Sequence, residues 1–161
     1  MHMTRQAVAV AFALAAPVLA FGQSAPAGSR TPDVALSVNA ERRDRLQKAL
    51  EPLVQQARES YPQAKKRFLV GLPSGYLFEV VATLTDKSGT GEQVFVAVQR
   101  IADGFIEGYI NNDLQLVSGY RSRDPYRLLE TEIVDWCITA PDGEEEGNVV
   151  GKWLEAHHAE Y

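Results

Sequence analysis

The sequence predicts an α+β fold, an N-terminal helix packed on a mostly antiparallel sheet of five to six strands. Three observations predict it. Apolar residues between Leu46 and Tyr61 recur at three- and four-residue intervals, the spacing of one helix face. After Pro73-Ser74-Gly75 the period shortens to two, which is the spacing of a strand. Clusters of Gly, Pro, Asn and Asp then divide the rest of the chain into short segments.

Taken in chain order, residues 1–22 read as a secretory signal peptide. Arg5 supplies the positive end, Ala7 to Phe21 the apolar run, and Ala20 and Gly22 the small residues before a cut at Gln23. The run is shorter than the roughly 20 apolar residues of a membrane span. The competing readings are an uncleaved anchor and a buried helix. Gln23 to Asp33 is rich in Ser, Ala, Pro and Gly and has little to bury. Residues 23–37 are therefore expected to be a disordered spacer, with a single domain over 38–158.

A helix is expected from about Ala40 to Ser60, capped by Ser37 or Asn39, with Glu41 in the first turn where the dipole favours an acid. Leu46, Leu50, Leu53, Val54, Ala57 and Tyr61 form its apolar face; Arg42, Arg43, Arg45, Lys48, Gln55 and Arg58 form the wet one. Pro52 removes a donor and crowds the preceding turn, so the helix either kinks there or restarts. Tyr76, Phe78, Val80, Ala82 and Leu84 then share one face of a half-buried strand, with Glu79 and Thr83 on the other. Val94, Val96 and Val98 mark a second strand, the Asp103-Gly104 turn a hairpin, and Phe105 to Ile110 a third strand. These three form a meander.

Asn111-Asn112-Asp113 reads as a turn, Leu114 to Val117 as a short strand and Ser118 to Pro125 as a polar loop. Tyr126 to Leu129 and Ile133 to Thr139 are the next strands, followed by a Pro141-Asp142-Gly143 turn and a charged loop over Glu144 to Glu146. Val149 to Leu154 is either a closing strand or the start of a last helix, and Gly147 and Gly151 favour extended backbone.

Composition excludes several kinds of chemistry. The chain carries 16 Lys and Arg against 21 Asp and Glu, a net charge of −5. Residues 1–22 hold Arg5 and no acid, so the 139 residues that follow carry −6. That surface repels phosphate backbones, and the basic run Lys65-Lys66-Arg67 reads as a solvated helix end, so no nucleic-acid partner is expected. Cys137 is the single cysteine, which excludes an internal disulfide; between Trp136 and Ile138 it reads as a buried, inert thiol. His2 lies in the signal peptide, and His157 and His158 lie near the chain end, where rigid catalytic or zinc geometry is hard to hold. The acids around Asp142 lack the ligand spacing of a calcium loop. No metal and no cofactor are expected.

The order of segments resembles a known bacterial family. Its carriers are the run Ala57 to Phe68, a Gly-bounded strand, Gly91-Glu92-Gln93-Val94-Phe95-Val96, Asp103-Gly104-Phe105-Ile106-Glu107-Gly108-Tyr109-Ile110-Asn111-Asn112, and Ile133-Val134-Asp135-Trp136. Over about residues 55–154 this resembles the YegJ-like family, domain of unknown function 2314. The family pattern opens its second strand with Glu-His, an aromatic residue and Trp, where this chain has Glu92-Gln93-Val94-Phe95. The resemblance implies no established activity.

Five residues stand out as candidate binding positions: Glu92, Asn111, Asn112, Asp135 and Trp136. Trp136 offers a stacking platform and Asp135 a polar anchor. The structural alternative puts the indole in the core and the carboxylate on a turn or an Arg. Turn chemistry likewise explains Asn111 and Asn112. Glu92, Glu130, Glu132 and Asp135 supply acids for a hydrolase, which needs two of them roughly 5 to 9 Å apart. The preferred expectation is a non-enzymatic domain, periplasmic or secreted, that binds a protein or envelope component. The alternatives are a carboxylate-dependent hydrolase of an envelope polymer, with Asp135 and Glu92 as its acids, and a small-ligand carrier with an apolar pocket.

Overall fold

The computed structural model describes residues 12–13 and 33–157, with side chains over 41–157. Apart from Phe12–Ala13, the segment expected to be a signal peptide lies outside the described residues, as do most of the expected spacer, His2 and His158. In chain order the elements are β1 (Phe12–Ala13), α1 (Asp33–Val70), β2 (Leu77–Thr85), β3 (Thr90–Ala102), β4 (Phe105–Ile110), β5 (Pro125–Leu129), a 3₁₀ turn (Glu130–Glu132), β6 (Ile133–Thr139), β7 (Glu145–Gly147) and α2 (Val149–His157). The sheet runs β5-β4-β3-β2-β6-β7 with antiparallel pairing throughout, and β1 lies against β3 at Thr90 and Gly91. This is the α+β class the periodicities predict.

One long helix covers the sheet. α1 has 38 residues and continues through Pro52 and Pro62, so a helix restarting at Pro52 is corrected to a single element. It begins at Asp33, inside the expected spacer, and ends ten residues beyond Ser60. The extension follows from packing, because Ala64 is buried and Phe68 packs on the core, which continues the face begun by Ala57 and Tyr61. Burial of that stripe outweighs the donor lost at Pro62. Gly71 closes the helix with φ +108°, its N–H donating to the carbonyls of Arg67 and Phe68.

α1 carries two contacts along its length. Its second half lies on the core face of the sheet, against Phe78, Val80, Trp136 and Ile138. Its first half uses Leu46, Leu50, Leu53 and Val54 against Val150 and Leu154 of α2. Polar bonds fix the crossing. Arg58 Nε donates to the Ile133 carbonyl, Tyr61 Oη donates to Glu130 Oε2, and Lys65 Nζ pairs with the same Glu130 carboxylate. Burial, reinforced by Glu130, pushes the Tyr61 phenol well above its ordinary pKa.

Several expectations are corrected at this level. Leu114–Val117 forms a loop, not a strand. Of the two alternatives for Val149–Leu154 the helix is the one observed, against the extended backbone that Gly147 and Gly151 favoured, with Asp135 accepting the Val150 N–H in its first turn. The charged segment at Glu144–Glu146 contributes a short edge strand, β7, to the sheet. His157 closes α2, where its ring stacks on Trp153 at 4.3 Å, so it sits on a helix rather than on a frayed chain end. Glu79 is fully buried, so β2 is not half-wet at that position. Lys65 and Arg67 do sit at the end of α1, the latter paired with Glu146. Among the described residues no helix is long and apolar enough to cross a membrane.

Candidate functional site

Each residue singled out in the sequence is held inside the fold by a specific bond. Glu92 lies at the start of β3 and is almost completely buried. Its carboxylate accepts the backbone N–H groups of Gln115, Leu116 and Val117 at 2.8 to 3.2 Å. Nearby, Asp86 accepts from the backbone N–H groups of Ser88, Thr90 and Ser118 and from two serine hydroxyls. Those donors, the Ser88 hydroxyl first, hold Asp86 well below the usual carboxylate range. Two carboxylates thus organise the loop that was expected to be a strand. They take up N–H groups which a ladder would otherwise satisfy.

Asn111 and Asn112 extend the β3–β4 pairing beyond its last backbone pair, Val96 with Ile110. The Asn111 N–H donates to the Phe95 carbonyl at 2.7 Å, and the Phe95 N–H donates to Asn112 Oδ1 at 2.8 Å. The Asn112 side chain thereby substitutes for a strand carbonyl. Asn111 Nδ2 donates to the buried Glu79 Oε1. Both asparagines end the strand and steer the chain into the loop.

Asp135 and Trp136 point to opposite faces of β6, as alternation requires. Trp136 fills the core, and its indole N–H donates to the Ala57 carbonyl and to Ser60 Oγ. Asp135 reaches across the sequence to the start of α2. Its Oδ1 accepts the Trp136 N–H, and its Oδ2 accepts the Val150 N–H at 2.7 Å. Burial pushes its pKa up, against the opposing pull of these and neighbouring backbone N–H groups. It acts as a helix cap supplied from another strand.

The proposed acid pair does not converge. Along β2, whose register with β3 is unbroken from Glu79 to Thr85, Val81 faces Asp135 and Leu84 faces Glu92. Residues 81 and 84 are three apart, so the two carboxylates occupy opposite faces of the sheet. A bond cannot lie between them. Glu130 is engaged by Tyr61 and Lys65, and Glu132 accepts the Leu129 N–H. Cys137 is fully buried, as its apolar neighbours imply.

A different surface gathers exposed charge and aromatic area. An open groove of about 390 Å³ crosses β3, β4 and β5, with Arg100, Glu107, Tyr109, Pro125 and Arg127 along it. Arg100 Nη1 and Arg127 Nε approach the same Glu107 carboxylate from opposite sides, at 3.4 and 3.5 Å. The Arg127 guanidinium also lies 3.7 Å from the centroid of the Phe105 ring, and Tyr109 is 48 % exposed. This is an open face and not the enclosed apolar pocket of a small-ligand carrier.

None of these groove positions was among the sequence candidates, yet one signal could have found them. Asp103 and Gly104 have φ of +53° and +78°, the two-residue turn that Asp-Gly favours. Such a turn places Ala102 opposite Phe105 and Arg100 opposite Glu107. The charge pair was therefore encoded in the hairpin register. The approach of Arg127 was not, because it depends on a strand 20 residues further on.

Fold and geometry together define the class of this protein, an α+β domain in which, among the described residues, one long helix lies on an antiparallel sheet of six strands in series with the two-residue β1 added beside β3. Comparison with protein-family models, with curated proteins and with solved structures finds no match to the chain.

Proposed function

We propose that this protein is an exported, non-enzymatic recognition domain that contacts a protein or envelope component through the open face of β3, β4 and β5. One observation carries the reading. The five candidate binding residues are spent on internal bonds, whereas Arg100, Tyr109 and Arg127 are displayed together beside a groove. Exposed aromatic and arginine side chains suit recognition surfaces, because they bury much area and form directional contacts when a partner covers them.

Export rests on the charged, apolar and small-residue order of residues 1–22, which fits a periplasmic or secreted location. Kinship with the YegJ-like family rests on the motifs over residues 55–154. The hydrolase reading loses its chosen acid pair, since Glu92 and Asp135 lie on opposite faces.

The test is capture from envelope extract with the wild-type chain and with an Arg100→Ser/Tyr109→Ser double variant. Both side chains are exposed, so the variant is expected to fold. The expected result is a component enriched by the wild type and lost with the variant. Equal recovery by both, or recovery of nothing above background, contradicts the proposal.

A further inference from the structure

The open face ends at β5, which among the described residues is an edge strand, and the side chains there carry a register. Three rows cross the strands on this face. Arg100, Glu107 and Arg127 are directly opposed in β3, β4 and β5, so the central row alternates in sign and ends on a positive charge. On one side lies the row of Ala97, Tyr109 and Pro125; on the other lies that of Ala102, Phe105 and Leu129. The flanking rows are largely apolar, and Leu129 is 41 % exposed.

The backbone of β5 shows how much room the edge offers. The Ile110 N–H donates to the Asp124 carbonyl and the Glu130 N–H to the Gly104 carbonyl, so even-numbered positions of β5 bond inward to β4. Pro125, Arg127 and Leu129 accordingly turn their backbone groups outward. Pro125 has no N–H, and the Leu129 N–H is taken by Glu132 Oε2 at 2.7 Å. These two devices guard the ends of the edge against open-ended pairing. What remains is the N–H and carbonyl of Arg127, flanked by the carbonyls of Pro125 and Leu129. That pattern fits one short strand and no extended sheet.

We infer that the free edge of β5 accepts a short extended peptide carrying an acidic residue opposite Arg127 and apolar residues two positions to either side. The inference rests on the recognition-face reading above and adds the chemistry of the occupant. An acid at that position continues the alternation from Arg100 through Glu107 and Arg127. Opposed unlike charges on adjacent strands attract, and like charges repel. The Phe105 ring and the Glu107 carboxylate hold the Arg127 guanidinium in place, which reduces the ordering that binding would require. Main-chain bonds to Arg127 supply attachment, and the side-chain rows supply selectivity.

The test uses the ¹⁵N-labelled full chain and two blocked heptapeptides, Thr-Val-Thr-Glu-Thr-Val-Thr and its counterpart with Lys at the centre. The acidic peptide is expected to shift the amide signals of Arg127 and Leu129 and to bind about tenfold more tightly than the basic one. Arg127→Glu is expected to reverse that preference, and Arg127→Gln to abolish it while the rest of the spectrum is retained. Equal binding of both peptides, or no binding of either in the millimolar range, overturns the inference. If the peptides fail while capture still depends on Arg100 and Tyr109, the occupant is wrong and the face stands. If capture fails as well, both fall.

Discussion

At the residue scale, Asp135 shows why a conspicuous side chain need not be a site. Its carboxylate is buried, yet it receives backbone N–H groups from its own strand and from the first turn of α2. Burial dominates, so the folded chain holds the proton more tightly than the unfolded one. The sign of the linkage follows. Asp135 favours the folded state most at low pH, and that contribution declines as pH rises from about 3.9, the ordinary Asp value, through its raised folded pKa. Asp86 has the opposite sign: its contribution is complete above the ordinary range and is lost on acidification. Asp135→Asn copies the protonated state. Its stability relative to wild type is therefore expected to improve as pH rises through that window, read from urea midpoints across pH. A relative loss of stability over the same window contradicts this assignment.

At the element scale, what was legible in the chain was local. The β2–β3–β4 meander follows from alternating valines and an Asp-Gly turn, both contained within a few residues. The length of α1 and the helical state of Val149–Leu154 were not legible, because distant groups decide them. Ala64 and Phe68 gain from a sheet that forms later in the sequence, and α2 is capped by Asp135, 15 residues before Val150. The loop over residues 113–118 likewise depends on Glu92, more than 20 residues upstream. The candidate residues were conspicuous in the sequence because they solve these long-range problems. Gly108 shows how closely the strands pack. A Cβ there would collide with the Ala97 carbonyl oxygen and lie 3.0 Å from Val96 Cγ1. Gly108→Ala is expected to cost about 1–3 kcal/mol, because backbone as well as side chain must shift. Chemical denaturation measures it, and a change within about 0.5 kcal/mol contradicts the packing argument.

At the scale of the whole molecule, the two faces of the sheet do different work. α1 covers the core face, and the β3–β5 part of the other face displays Arg100, Glu107, Tyr109 and Arg127. In an acidic chain, two arginines beside one glutamate make a locally positive patch, which favours an acidic partner. Hydrogen exchange of the chain, free and bound to its captured partner, tests this assignment most directly. New protection is expected over residues 97–109 and 125–129, with none added over 112–118 or 149–157. Protection confined to the loop held by Glu92 or to α2 would contradict it.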